Sequence, residues 1–520
     1  MYDRFGLRTH PVDGNRIGRQ VTEGTLPATT VDRQAGRGIM IAACVSAFVV
    51  NANTSAVTIL LPAISKDLNA PISTLQWAVT GYMLVGAATI VTSGALGDVL
   101  GRRKVFIAGL GLFVLSCAFI ALAGSGGGVV AGRWVQGAAG STILACGMSL
   151  LSVSASGAGQ MRAITVWGAA SAAGAAAGPV VGGVLVNSTG WQGLFWIDAM
   201  VAAICIPITI RTVQESRDPA RSNSIDYLGT ALIAIILVPL VLALSEGSSW
   251  GWGSPATIAC FVVSIVAAFA FVRVEGHVEA PLVDLELLKN RVLVGSTIAI
   301  LIVAGTINAL MYVLSLYFQD PNGFAMTALK AGLATLPAAA AMIIVTPFIT
   351  PIAVRIGSRQ AVGLGFALAA VGFAWLALVD SDWKYAAFVL PLIGISVGLG
   401  ISNGPASSAS TSAVPENQVG QASGISNMAR YVGGSLFVAA AATVSTTAME
   451  NKTAAGLLPA DALAAGLSRS CLLMALICAA GVAFAFLMGR HRGEKPTAVS
   501  RAAAAAVTAH TIPTHPTTSS

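Results

Sequence analysis

Gly94-Ala95-Leu96-Gly97-Asp98-Val99-Leu100-Gly101-Arg102-Arg103-Lys104 joins two apolar runs of helical length, 76–96 and 105–124. Its glycines permit a sharp reversal, and it sets three cations beside one acid. Spanning the hydrocarbon of a bilayer takes roughly 20 apolar residues as helix. A short charged hinge between two such runs reads as a loop at a membrane face. A plain loop held inside by its positive charge would look the same.

Outward from this hinge the pattern repeats. Further runs fall near 39–62, 128–152, 163–187 and 193–211, then 226–246 and 254–273, then 292–317, 327–353, 360–379, 384–411, 420–447 and 470–489, fourteen spans in all. Of the 29 Lys and Arg, only Lys66, Lys330, Lys384, Lys452 and Arg469 then fall on the outer side. Arg133 and Arg430 lie inside spans, and the others face the cytoplasm. Because inner loops hold the Lys/Arg excess, both termini are expected inside. The polar first 37 residues lack an apolar core ahead of a cleavage site, so no cleaved signal peptide is expected.

Composition agrees. The 520 residues are 55% hydrophobic and only 10% charged, whereas a soluble domain carries about 25% charged residues. The net charge of +7 does not mark a nucleic-acid face, since the cations sit in clusters between apolar runs. Seven cysteines lie within apolar runs without CxxC spacing, so neither a zinc site nor a disulfide framework is indicated. No Gly-Lys dipeptide occurs, so the phosphate-binding loop of an ATPase is missing. Five scattered histidines argue against a metal site or a Ser-His hydrolase. The chain is therefore read as a non-enzymatic, all-α polytopic membrane protein without cofactor, and power would come from an ion gradient or the solute's own.

The G-x-x-x-D-x-x-G-R-R-K spacing of Gly94, Gly97, Asp98, Gly101, Arg102, Arg103 and Lys104 resembles the signature loop of the major facilitator superfamily. Arg133-Trp134-Val135-Gln136-Gly137 resembles its R-x-x-Q-G motif. The run containing Gly174, Gly178, Pro179, Gly182 and Gly183 looks like the G-P-x-x-G-G motif of its antiporters. Asp226-Tyr227-Leu228-Gly229, Trp250-Gly251-Trp252 and Pro281-Leu282-Val283-Asp284-Leu285 resemble linker features of the fourteen-helix drug:proton antiporter branch. The resemblance covers about 38–490. It implies two six-helix bundles with two inserted helices: an inner tail at 1–37, bundles at 38–212 and 291–490, the insert at 213–290 and a disordered inner tail at 491–520. It implies a monomer in the plasma membrane that exports a hydrophobic or cationic drug in exchange for protons, with Gly178-Pro179 as a gating hinge and Asp98 as a conformational latch.

Physical reasons accompany the motifs. Gly174, Gly178, Gly182 and Gly183 leave a small-residue strip for close helix packing, and Pro179 removes one helical hydrogen bond. Arg133 lies too deep for a loop charge, and an intramembrane arginine faces a partner or water. Asp198 in the sixth span is the nearest acid at similar depth, and a direct pair, a shared proton network or simple snorkelling all remain open. The branch commonly places an aspartate nine residues before the first-span proline. Counting back from Pro62 gives Asn53, which cannot ionise, while Asp198 stands where the branch often has asparagine. Asp198 and Asp98 are then the acids left for proton traffic. Asn51, Asn53, Tyr82, Trp167, Asn308, Tyr312, Asn403, Asn427 and Arg430 are candidates for lining a cavity for an amphipathic solute. Export of an endogenous metabolite, lipid or siderophore, and transport without proton coupling through the first helix, are the rival readings.

Overall fold

The computed structural model describes residues 30–487 apart from 155–156, 218–225, 279–280, 282, 284 and 415–417. Residues 1–29 of the first expected tail, the whole of the second and part of the Pro281–Leu285 feature lie outside the described residues, while residues 30–37, expected in the first tail, extend α1. The described chain is helical. A first group comprises α1 (Thr30–Leu68), α2 (Ile72–Leu100), α3 (Arg102–Ala121), α4 (Gly126–Val153), α5 (Gly157–Thr189) and α6 (Gln192–Thr212). The inserted pair is α7 (Tyr227–Trp250) and α8 (Pro255–Glu275). A second group follows with α9 (Arg291–Gln319), α10 (Ala328–Ala334), α11 (Leu336–Ile356), α12 (Ser358–Leu376), α13 (Ala386–Ser412), α14 (Val419–Ala454) and α15 (Pro459–Leu487).

The boundaries have local causes. Ser125, Asp226, Ser254, Asn290 and Thr327 each accept a backbone N–H of the following turn, capping α4, α7, α8, α9 and α10. Such caps satisfy donors that the first turn leaves without a helical acceptor. Between α2 and α3 the chain reverses on Gly101 at φ +117°, a conformation that a Cβ opposes.

Thirteen helices are long and apolar enough to cross a membrane among the described residues, and the run expected at 327–353 is described in part, as an apolar helix over Ala328–Met342. Within it a single turn at Thr335 separates α10 from α11, next to Pro337, which lacks the N–H that would have bonded one turn back. The two long stretches 105–152 and 384–447 each resolve into two helices, as expected.

The inserted pair lies against the seam between the two groups. Thr230 of α7 shares a hydroxyl hydrogen bond with Thr92 of α2, and Thr443 of α14 donates to the α7 carbonyl of Leu244 at 2.6 Å. Ile233, Leu237 and Val241 of α7 pack with Leu84, Ala87 and Ala88 of α2 and Ala439 of α14.

Candidate functional site

A buried polar chain crosses the interior of the first bundle. Arg133 on α4 is only 1% exposed. Its Nε donates to the Ala78 carbonyl of α2 at 3.0 Å and its Nη1 to Asn53 Oδ1 of α1 at 2.6 Å. Nη1 also donates to Gln136 Oε1 one turn along α4. Asn53, fully buried, then donates through Nδ2 to Asp198 Oδ2 of α6 at 2.7 Å. Asp198 is 5% exposed. Arg133 and Asp198 thus meet through Asn53, and no direct ion pair joins them. Gln136 passes the chain on to Cys117 Sγ of α3 at 2.9 Å, so Cys117 is more than the small hydrophobe its apolar run suggested.

The same arginine points toward the second bundle. Its guanidinium carbon lies 4.0 Å from the centre of the Tyr82 ring. Tyr82 in turn meets Tyr431 of α14 with ring centres 6.5 Å apart. A methyl group on Gly86 would run into the Tyr431 ring at 2.6 Å. Tyr431 carried no sequence signal, because an aromatic in an apolar run looks like any packing residue.

The expected loop 94–104 is the end of α2 and the start of α3 joined at Gly101 alone, and it is held as a unit. Arg102 Nε pairs with Asp98 Oδ1 at 2.9 Å. Arg103 donates its backbone N–H to Glu215 Oε1 at 3.0 Å and its guanidinium to the Ile210 carbonyl at 2.8 Å. Glu215, just beyond α6, sits 2.6 Å from where a Cβ on Gly101 would lie. This carboxylate at the start of α3 is well placed against the helix N-terminus, and the sequence reading passed over it. Gly97 packs on Cys146 of α4 at 3.1 Å from its would-be Cβ, whereas Gly94 has open space and Lys104 is exposed.

The glycine run of α5 serves two partners, which corrects the expected single strip. Gly174 and Gly178 lie directly on the α1 carbonyls of Phe48 and Ala52, and a Cβ on Gly182 would lie 3.1 Å from Ala56 Cβ. Gly183 faces away from α1, toward Ala328 and Leu329 of α10, where a Cβ would lie 2.7 Å from the Ala328 carbonyl. The Pro179 carbonyl meets Gly332 of α10. One residue along a helix turns the side chain by about 100°, so Gly182 and Gly183 cannot share a face.

The bundles also meet where Ser315 Oγ donates to the Thr58 carbonyl at 2.7 Å, where Gln319 reaches the Ile59 carbonyl at 3.1 Å, and where Ser435 reaches the Thr80 carbonyl at 3.1 Å. Beyond the Ser315–Thr58 contact opens a cavity of about 930 Å³ bounded by Gln76, Tyr312, Tyr317, Asp320 and Glu450.

The remaining cavity candidates are scattered. Tyr312 alone of the nine lies on that wall. Asn53 and Tyr82 are enclosed in the arginine chain. Asn51 and Asn308 each donate to their own helix, at Ala47 and Ala304. Arg430 donates to Asn403 Oδ1 at 3.0 Å and Ser407 Oγ at 2.7 Å, tying α14 to α13. Trp167 packs at the edge of the main core, and Asn427 is half-buried on α14. Among the described residues no group of His, Cys, Asp or Glu could hold a metal ion.

The family model of the Major Facilitator Superfamily matches residues 43–438. The chain is 30% identical over 411 residues to the cephamycin export protein of Amycolatopsis lactamdurans, covering 78% of this chain and 84% of that protein. It is 28% identical over 397 residues to the tetracenomycin C resistance and export protein of Streptomyces glaucescens, covering 76% and 73%. With the multidrug efflux pump LfrA of Mycolicibacterium smegmatis it shares 29% over 426 residues, covering 82% and 83%. Among solved structures, an auto inhibited POT family peptide transporter superposes with a TM-score of 0.64 at 16% identity, covering 89% of this chain and 98% of that one. A bacterial homolog of the lysosomal transporter Spinster, in its inward-facing state, gives 0.62 at 14% identity, covering 87% and 97%. Two helical bundles meeting about a seam, a braced Asp-Arg loop and an arginine buried in α4 accompany that match across three quarters of the chain: this is a membrane transporter of the Major Facilitator Superfamily.

Proposed function

We propose that the protein is a plasma-membrane exporter of a hydrophobic or cationic drug or antibiotic, exchanging its cargo for protons by alternating access. The export and resistance roles for which the cephamycin, tetracenomycin and multidrug relatives are named support the cargo class. The outer cavity of about 930 Å³ is within the range of roughly 300–1,000 Å³ that suits a drug-sized ligand.

The observation that carries the proton reading is the 2.7 Å contact between Asn53 and Asp198. The branch that the sequence resembles commonly has its acid on the first helix and often an asparagine on the sixth. Here the two residue types are exchanged, and the side chains still touch. The acid has moved by one hydrogen bond and has kept its link to Arg133 through Asn53. A carboxyl group buried there is costly in its charged form unless partners offset it, so proton uptake and release at Asp198 would alter its hold on Asn53 and hence on Arg133. Through Tyr82 and Tyr431 that change reaches the second bundle. Rocking of the bundles about the seam then alternates access. The excess of Lys and Arg in alternate loops supports an orientation with both termini in the cytoplasm.

The test is a proteoliposome assay with an imposed pH gradient and a panel of amphipathic solutes. Solute-dependent proton flux is expected, and it should vanish in Asp198→Asn. Transport of a solute without any proton flux would overturn the coupling and leave the transporter fold intact.

A further inference from the structure

We infer that a notch at the outer end of α14 and α15 seats the phosphate-bearing headgroup of an anionic phospholipid. The notch has a volume of about 390 Å³ and is walled by Trp252, Thr443, Thr447, Asn451, Lys452 and Arg469. Few cations face the outer side in this sequence, yet two of them, from different helices, converge on this one cavity. Neither side chain has an acidic partner among the described residues, and no carboxylate lines the notch. Glu450, two residues before Lys452, lines the larger cavity between the bundles instead. The outer end of α14 thus presents an acid to the cleft and a base to the notch.

The depth fits a headgroup. Lys452 lies in the last turn of α14, and Arg469 lies inside α15, which begins at Pro459, with its side chain leaning back toward that outer end and lining the same notch. Trp252 comes from the α7–α8 turn, stands 52% exposed and packs its ring over Gly247, 2.8 Å from that residue's would-be Cβ. Indole rings settle at the boundary between headgroups and acyl chains. A guanidinium and an ammonium side by side are suited to a phosphate, the first by paired N–H donors and the second as a point charge. Thr447 and Asn451 offer hydroxyl and amide groups to the polar end of such a lipid. Free phosphate shares this chemistry, but the tryptophan wall favours a ligand with an apolar continuation. Two interfacial bases reaching separately into water are the alternative, and they would bind no particular lipid.

The full chain in nanodiscs of phosphatidylcholine with added phosphatidylglycerol, released and weighed by native mass spectrometry, distinguishes these cases. The wild type should retain phosphatidylglycerol over phosphatidylcholine. Lys452→Gln with Arg469→Gln should lower that retention about tenfold or more, since each interfacial charge contributes on the order of a factor of five. Lys330→Gln with Lys384→Gln, two other outer bases, should leave it unchanged, and Trp252→Ala should weaken it where the double variant fails to fold. Equal retention in the notch variants, equal loss in the control pair, or displacement of the lipid by inorganic phosphate would each overturn the assignment.

Discussion

Asp198→Asn is the most discriminating substitution in the molecule, because it removes an ionisable group while preserving shape and hydrogen-bonding capacity. The new amide can still meet Asn53 across the contact now 2.7 Å long, so the packing of α6 on α1 should survive. Each pH unit corresponds to about 1.36 kcal/mol per proton. A gradient of two units therefore drives a one-for-one exchange with about 2.7 kcal/mol, which at 1.4 kcal/mol per tenfold is roughly a hundredfold accumulation. With no acid in the chain of contacts, that factor should fall to about one, leaving downhill equilibration only. Asn53→Asp combined with Asp198→Asn returns a carboxylate to the other side of the same contact, 2.6 Å from Arg133 Nη1 as Asn53 now stands, and should recover uphill transport in part. The assay is solute uptake into proteoliposomes under an imposed gradient, with a thermal unfolding midpoint as the check on folding. If Asp198→Asn still concentrates solute a hundredfold, the proton is carried elsewhere and the reasoning from the exchanged pair is wrong.

Arg133→Lys should abolish transport despite the retained charge, because one ammonium cannot reproduce the separate bonds to Ala78 and Asn53; uptake alongside the unfolding midpoint reads this. Gly178→Val should destabilise by about 1–3 kcal/mol through overpacking against Ala52 of α1, and show as lost expression or a lowered midpoint. Gly183→Val, whose would-be Cβ meets the α10 backbone at Ala328 and Leu329, should also lower the midpoint and force α5 and α10 apart, so that a cysteine cross-link between the two helices forms less readily. Gly101→Ala should cost roughly 1–2 kcal/mol from its positive φ alone, and more from the Glu215 carboxylate beside it, as measured by thermal denaturation in detergent.

Most of the architecture was legible because a lipid-spanning helix announces itself within its own twenty residues. The break at Thr335 was legible too, in Pro337, had hydropathy not masked it. The depth of Arg133 marked it as a functional candidate without any structure. What no local pattern supplies is the pairing of Asn53 with Asp198, which are 145 residues apart and meet only because α1 and α6 lie side by side. Glu215 was missed for a different reason: an acid just past a span looks like any solvated loop charge until the turn at Gly101 closes over it. Tyr431 was missed because its aromatic neighbour, Tyr82, belongs to the other half of the chain.

The inserted pair has a mechanical consequence. α7 is fastened to α2 through Thr230 and to α14 through Leu244, so it lies across the joint like a strap nailed to both door and frame. When the halves swing, at least one of those fastenings has to let go, and the strap travels with the half that keeps its grip. A greasy molecule approaching sideways from the bilayer meets this strap on one flank.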